Sequence, residues 1–328
     1  MIIDLTETTT GQIQQALTQA RRRLGGPAMG MVLTLVISTD EALQYDAIRA
    51  ASQAGREHPC RVLGVITRDG RSRARLDAEI RVGENTPGET VLLRLYGPLG
   101  SHADSVVAPL LVPDTPVVTW WPGIAPEVPS GDPLGALAQR RVTDAAAAAE
   151  PVKVLGSLAA TYRPGDTDFA WTRATPWRSL LAATLDQPHD EITGGLVAAE
   201  AGNPTAALLA SWLSIALKVP FTNETSPGPG ITEVRLATLA GEIALSRPDG
   251  RVAALSRPDQ PDRMVALRRR DNPELLAEEL RRLDPDEVYA ETIAHFSLIM
   301  TADEQADDVG AMSRADDTGP MNTAEADR

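Results

Sequence analysis

The chain has 328 residues, of which 43% are hydrophobic and only 4% aromatic, and its formal net charge is −14. This length and apolar content suffice for two domains with cores filled mainly by aliphatic side chains. The negative charge repels nucleic-acid phosphates and anionic lipids, so we expect neither nucleic acid nor a membrane as partner. The sequence shows no signal peptide and no apolar run near the roughly 20 residues that span a bilayer, so we expect a cytoplasmic protein.

Residues 10–24 predict an amphipathic helix, because apolar residues recur on one face. Thr9 and Gln12 are spaced as a capping box for its first turn. A glycine-rich segment follows this helix. We therefore predict an N-terminal helical arm over residues 1–30.

Residues 31–172 alternate between buried-strand and helix patterns and predict an α/β domain. A strand, a helix and a second strand at its start favour a parallel pair with a crossover helix. Residues 74–82 alternate between apolar and charged side chains, which is typical of a half-solvated antiparallel or edge strand. The domain is therefore expected to hold a mixed sheet flanked by helices. Its predicted elements are strands at 31–37, 60–66, 74–82, 91–96 and 116–121, and helices at about 39–56 and 101–111.

Residues 173–297 predict an α+β domain. A capping residue followed by proline marks four helix starts, since proline is tolerated at the first helical position. These pairs are Thr175-Pro176, Asn203-Pro204, Asn272-Pro273 and Asp284-Pro285. Alternating segments between residues 231 and 269 predict three or four antiparallel strands. Residues 298–328 are polar and acidic without periodicity, and we expect them to form a disordered acidic tail.

Motifs of common enzymes are absent from the sequence. It has no phosphate-binding loop, no dinucleotide fingerprint, no nucleophile elbow and no histidine pair with metal-ligand spacing. We therefore expect a protein that is not an enzyme and holds neither a cofactor nor a metal. Cys60, the single cysteine, is interpreted as a core thiol, although nearby basic residues leave a reactive thiol open.

Tryptophan and arginine concentrate in a few places along the chain. Trp120 and Trp121 end a predicted strand, and the segment 162–178 combines two further tryptophans with three arginines. These residue types dominate protein–protein hot spots, and a strand end and a loop are exposed places. The alternative is that these tryptophans only fill a core that is otherwise poor in aromatic residues. The candidate partner-binding residues are Trp120, Trp121, Arg163, Asp166, Asp168, Trp171, Arg173, Trp177 and Arg178.

Several segments together resemble the glucose-6-phosphate dehydrogenase assembly protein family, OpcA. They are HPCRVLGVI at 58–66, DTPVVTWWP at 114–122, RRVTDA at 140–145, YRPGDTDFAWTRATPWRSLLA at 162–182 and RRRDNPELLAEELRRLDPDEVYAETI at 268–293. The resemblance implies a non-catalytic partner that binds glucose-6-phosphate dehydrogenase and promotes its active oligomer. It thereby implies support of the oxidative pentose phosphate pathway and of NADPH supply.

Two other functions stay open from the residues alone. A mixed α/β sheet can bind a sugar phosphate or a nucleotide at its strand ends, as a sensing module would. Asp166 and Asp168 lie two residues apart and could serve a metal or acid–base chemistry. Turn formation and helix capping are the simpler roles for both carboxylates.

Overall fold

The computed structural model describes residues 1–24, 30–68, 72–83 and 88–316. These residues form two mixed β-sheets with helices packed against them, which confirms the predicted α/β and α+β architecture. The N-terminal sheet has eight strands in the order β1-β4-β5-β3-β2-β6-β7-β8. Its strands are β1 Ile2–Leu5, β2 Leu33–Thr39, β3 Cys60–Arg68, β4 Arg75–Val82, β5 Glu89–Tyr96, β6 Val117–Trp120, β7 Arg140–Thr143 and β8 Asp166–Asp168. The helices along this part of the chain are α1 Thr10–Leu24, α2 Gln44–Ala54, α3 Ala103–Val107 and α4 Pro151–Ala160.

The C-terminal sheet has six strands in the order β10-β9-β11-β12-β13-β14. Its strands are β9 Ile192–Ala199, β10 Phe221–Thr225, β11 Ile231–Thr238, β12 Gly241–Ser246, β13 Val252–Arg257 and β14 Gln260–Ala266. The helices of this half are α5 Phe169–Leu185, α6 Pro204–Leu217, α7 Asn272–Arg281 and α8 Glu287–Asp316. None of the described helices is both long and apolar enough to cross a lipid bilayer.

The centre of the N-terminal sheet is parallel. β2 pairs in parallel with β3 on one side and with β6 on the other, and α2 connects β2 to β3. This arrangement confirms the predicted crossover unit. β4 runs antiparallel to β5 with alternating burial, as the pattern of residues 74–82 predicts. β1 pairs with β4; the sequence does not predict it, because four residues are too few to define a period.

One face of the N-terminal sheet is covered by α1. Ile13, Leu17 and Ala20 of this helix are buried in the core, which confirms the predicted apolar face. The predicted capping box is also present. The Gln12 amide donates to Thr9 Oγ1 at 3.3 Å, and the Thr9 amide donates to Gln12 Oε1 at 3.0 Å.

The opposite face of the N-terminal sheet is covered by two helices from distant parts of the chain. α2 follows β2 directly, whereas α7 arrives from beyond the C-terminal sheet and packs against α2. Leu275 and Leu276 of α7 are buried beside Leu35 and Ile37 of β2. The C-terminal segment therefore completes the first core, although α7 lies within the predicted domain 173–297. The predicted domain limits stay predictions.

Four of the six strands in the C-terminal sheet are predicted from the sequence, and β9 and β10 are not. β11 to β14 form an antiparallel meander, which confirms the strands expected between residues 231 and 269. β9 and β10 pair in parallel across α6 and were not expected, because Gly194 and Gly195 weaken a strand pattern. Gly195 is required at its place, since a Cβ there would lie 2.3 Å from the Arg235 carbonyl oxygen.

Three of the four predicted helix starts lie at or near observed ones. Asn203 caps α6, and its side chain accepts a hydrogen bond from the Ala206 amide. α7 is capped one residue earlier than predicted, by Asp271, which forms a capping box with Glu274. α8 begins at Glu287, and Asp286 Oδ1 accepts from the Tyr289 amide at 3.0 Å.

α8 packs against α4 and α6 through Tyr289, Ile293 and Phe296, the face that the sequence predicts. The helix continues to Asp316 and so extends into residues 298–328, for which we predict a disordered tail. Met300 lies one turn beyond Phe296 and packs on the same core, which explains the continuation as far as that residue. Residues 317–328 of the predicted tail and 25–29 of the predicted arm lie outside the described residues.

Candidate functional site

α5 positions most of the candidate residues, and it begins earlier than the sequence predicts. Its N-cap is Asp168 at the end of β8, whose Oδ1 accepts from the Ala170 amide at 2.8 Å. The predicted start at Thr175-Pro176 is therefore wrong, and Pro176 lies inside the helix. A proline there leaves the carbonyl four residues earlier, that of Thr172, without its helical donor. Arg270 Nη2 donates to this carbonyl.

The four candidate tryptophans are buried, each with at most 2% of its surface exposed. Trp120 contacts Phe169, with 5.6 Å between the ring centroids. Trp171 contacts Tyr289 at 5.7 Å, and its Nε1 donates to Asp286 Oδ2 at 2.9 Å. The expectation that a strand end and a loop expose these side chains is wrong, because Trp171 and Trp177 lie on the buried face of α5 and Trp120 packs against Phe169 of the same helix. Any part they have in partner binding stays a prediction.

α5 contributes to three separate hydrophobic clusters. Phe169 packs into the core between the N-terminal sheet and α7, whereas Trp171 packs against α4, α6 and α8. Trp177 and Leu181 belong to the core of the C-terminal sheet. One helix therefore packs against both sheets and links their cores.

Two of the three candidate arginines are engaged inside the protein. Arg173 forms a bidentate ion pair with Asp144, with N–O distances of 2.6 and 2.7 Å. The Arg178 guanidinium lies 3.6 Å from the centre of the Trp171 ring, and burial lowers its pKa to about 10. Arg163 alone of the three is exposed.

The two candidate aspartates have separate structural roles. Asp166 forms an ion pair with Arg141 and accepts from the Arg163 amide at 2.7 Å. Asp168 is fully buried, and its Oδ2 accepts from Thr143 Oγ1 at 2.6 Å. Burial raises the pKa of the Asp168 carboxyl, and the neighbouring charge of Asp144 raises it further.

The two other chemistries considered from the sequence are metal binding and a reactive Cys60 thiol. Among the described residues, no group of three or more His, Cys, Asp or Glu side chains could hold a metal ion. Cys60 is buried as a core thiol, and burial raises its pKa to about 12. This environment keeps the sulfur protonated, so the reactive alternative does not fit the folded chain.

An arginine-lined pocket lies beside α5, where the start of α6, the start of β11 and the segment before α7 meet. It offers about 500 Å³ of space between atoms, including its open side. Five lining residues are arginines, and no carboxylate lines it among the residues described. Its lining is Arg173, Pro176, Trp177, Asn203, Thr205, Gly230, Ile231, Arg247, Arg268, Arg269 and Arg270. Sequence reasoning missed this site, although three consecutive arginines before the α7 cap in an acidic chain are a visible signal.

The protein is therefore an α/β protein with two mixed sheets, a helix that packs against both, and a buried cluster of tryptophan and arginine side chains. Two family models match this chain, one after the other along the sequence. The model for the N-terminal domain of the glucose-6-phosphate dehydrogenase subunit matches residues 51–160. The model for the C-terminal domain of the same subunit matches residues 164–293. The chain belongs to the glucose-6-phosphate dehydrogenase assembly protein family, OpcA, which confirms the resemblance seen in the sequence.

The other comparisons are distant. An oxidoreductase from Sinorhizobium meliloti has a TM-score of 0.42 at 9% identity, over 80% of this chain and 86% of that one. An oxidoreductase from Pseudomonas syringae has a TM-score of 0.35 at 10% identity, over 85% of this chain and 89% of that one. Likenesses this weak carry no argument about function. The comparison with curated proteins found no matching sequence.

Proposed function

We propose that this chain is a non-catalytic assembly factor and allosteric activator of glucose-6-phosphate dehydrogenase. The observation that carries the proposal is the match of both halves to family models described as subunit domains of that enzyme. The protein acts in the cytoplasm and promotes the active oligomer of the dehydrogenase. It thereby supports the oxidative pentose phosphate pathway and the supply of NADPH.

The proposed mechanism is thermodynamic linkage. A protein that binds the active state of the dehydrogenase more tightly than the inactive state shifts the population toward the active one. A roughly 100-fold preference corresponds to a coupling free energy of about 2.7 kcal/mol. A modest interface can supply this difference, so no catalytic group on this chain is needed.

The proposed contact surface is the loop 122–133, which follows the buried Trp120 and Trp121. Its Ile124 side chain is 94% exposed, the largest exposed fraction among the large hydrophobic residues described. Thr161 Oγ1 donates to the Glu127 carbonyl at 2.8 Å and ties this loop to the turn that bears the exposed Arg163. An exposed aliphatic side chain and an exposed arginine on two segments that are hydrogen-bonded to each other suit a protein interface. The buried candidate residues then hold this surface in place.

The test is a titration of the purified cognate dehydrogenase with this protein, measuring specific activity. Size-exclusion chromatography with light scattering on the same mixtures gives the mass of any complex. We expect a saturable rise in activity and a co-eluting complex. If both proteins are folded and neither effect occurs, the proposed function is wrong.

Paired surface variants test the contact surface separately. Ile124→Glu places a charge on the proposed interface, and we expect it to weaken activation by tenfold or more in the titration midpoint, about 1.4 kcal/mol. Leu239→Glu is the matched control, because Leu239 is 78% exposed and lies in the turn between β11 and β12. Both variants should keep the unfolding temperature of the wild type. Equal activation by the two variants would remove loop 122–133 from the interface.

A further inference from the structure

Arg247 is a buried cation without a carboxylate partner. It follows β12, is 4% exposed, and forms no ion pair within residues 1–24, 30–68, 72–83 and 88–316. Its Nη1 and Nη2 donate to the carbonyls of Leu267 and Ile231, both at 2.9 Å, while its buried Nε has no hydrogen-bond partner. The guanidinium lies 4.8 Å from the centre of the Trp177 ring, which compensates part of the cost of burying it. A buried cation without an ion pair still favours an anion beside it.

A second uncompensated cation converges on the same point. Arg269 forms no side-chain hydrogen bond and no ion pair with the part of the chain that the structure describes. A Cβ placed on Gly230 would lie 3.7 Å from Arg269 Nε and 3.8 Å from Arg247 Nη2, so both guanidinium groups border the open space at this glycine. Burial and the charge of Arg269 lower the pKa of Arg247 to about 10, against the opposing effect of the Asp249 carboxylate. Arg247 therefore remains cationic at neutral pH.

The rest of the wall suits a phosphorylated molecule. The 14-residue helix α6 begins at the pocket with its cap Asn203 and with Thr205, and the positive end of its dipole favours an anion there. The other three arginines already pair with carboxylates, Arg173 with Asp144, Arg268 with Glu274 and Arg270 with Glu278. Arg247 and Arg269 are therefore the two lining arginines that form no ion pair with the described residues.

We propose that this pocket binds the dianionic phosphate group of a small phosphorylated metabolite. Two guanidinium groups without counter-ions match the charge of a phosphate monoester, and forked N–H donors match its oxygen geometry. The Trp177 ring, Pro176 and Ile231 form an apolar wall for the group that carries the phosphate. The enclosed part of the pocket is about 60 Å³, and the space of about 500 Å³ includes the open side, into which the group that carries the phosphate extends.

This site lies on α5, α6 and the C-terminal sheet, whereas the proposed partner surface is loop 122–133. The inference does not rest on the proposed function. Ligand binding is measured on this protein alone, without the dehydrogenase, so failure of one proposal is distinguishable from failure of the other.

The test is isothermal titration calorimetry of the full chain with inorganic phosphate, a hexose phosphate and a nucleoside monophosphate. We expect saturable binding, and an unfolding temperature raised by roughly 5 °C at about 100 times the dissociation constant. Arg269→Gln should weaken binding about tenfold or more. Arg269 is exposed, so this variant should fold. Arg263→Gln is the matched control, because Arg263 is an exposed arginine on β14 outside the pocket.

The three ligands separate the possible sources of the phosphate. Tighter binding of one ester than of inorganic phosphate supports the proposal and identifies the carrier, and equal binding of all three supports recognition of the phosphate alone. No saturable binding at ~10 mM of any of them would overturn the proposal. An affinity that Arg269→Gln leaves unchanged would overturn it too, because phosphate at high concentration stabilises proteins without a site.

Discussion

Arg140 on β7 and Glu279 on α7 form a buried ion pair that fastens the C-terminal segment to the N-terminal sheet. Their side chains are 6% and 4% exposed, and Arg140 Nε donates to Glu279 Oε2 at 2.8 Å. Arg140 Nη1 donates to the Asp284 carbonyl at 2.9 Å, and Thr172 Oγ1 of α5 donates to Glu279 Oε1. The pair therefore links one strand and two helices through a single carboxylate.

Glu279→Gln keeps the shape of the side chain and removes its charge. Arg140 is then left as a buried cation without compensation, and we expect the free energy of unfolding to fall by about 3–5 kcal/mol. Arg140→Met should cost a similar amount, because it leaves the carboxylate buried alone. In the double variant Arg140→Met, Glu279→Met both charges leave together. Only Thr172 Oγ1 and the Asp284 carbonyl then lose a hydrogen-bond partner. Each loss should lower the free energy of unfolding by about 1–3 kcal/mol.

Urea unfolding followed by tryptophan fluorescence measures all three changes, because the tryptophans lie in the affected cores. We expect the double variant to be clearly more stable than the sum of the two single losses, with a coupling energy of about 2 kcal/mol or more. A loss below about 1 kcal/mol in Glu279→Gln, or strictly additive single losses, would refute the reasoning that this pair acts as one buried unit.

Two further changes test the core residues. Trp171→Ala should lower the free energy of unfolding by about 3–5 kcal/mol, since it removes packing against Tyr289 and Arg178; an unchanged urea midpoint would contradict the buried position. Burial raises the pKa of Cys60 from 9.0 to about 12. Its contribution to stability is present below pH 9 and is lost as the pH rises toward 12, because only the unfolded thiol ionises in between. Stability should fall by about 1 kcal/mol between pH 9 and 10, and Cys60→Ala should lack this part of the fall.

Local periodicity was sufficient to predict most of the fold. The crossover unit from β2 to β3 follows from two buried runs with a helix between them, and the alternation of residues 74–82 predicts an antiparallel strand. The sequence does not predict β9, because Gly194 and Gly195 interrupt its pattern. The close approach of the Arg235 carbonyl nevertheless requires glycine at position 195. Such a requirement comes from pairing across the sheet and cannot be read from one segment.

The sequence predicts which residue types cluster at the candidate site, but it does not predict that their side chains are buried. Tryptophan and arginine do cluster along 162–178, yet burial of Trp171 depends on Tyr289 and Asp286, which lie more than 100 positions away. The start of α5 was misplaced for a similar reason. Thr175-Pro176 is a sound local start signal, and only Arg270, 98 positions away from Thr172, supplies the donor that lets Pro176 lie inside a helix. The arginine-lined pocket draws on residues from 173 to 270 and has no spacing motif.

The position of α7 has a consequence for how the protein is made. Leu275 and Leu276 cover apolar side chains of β2, which is synthesised more than 200 residues earlier. A nascent chain emerging from the ribosome therefore carries an unfinished N-terminal sheet until all of the C-terminal sheet has followed. Exposed apolar strands of this kind are prone to aggregation during synthesis. A helix made near the end of translation thus completes the core on one face of a sheet begun near its start.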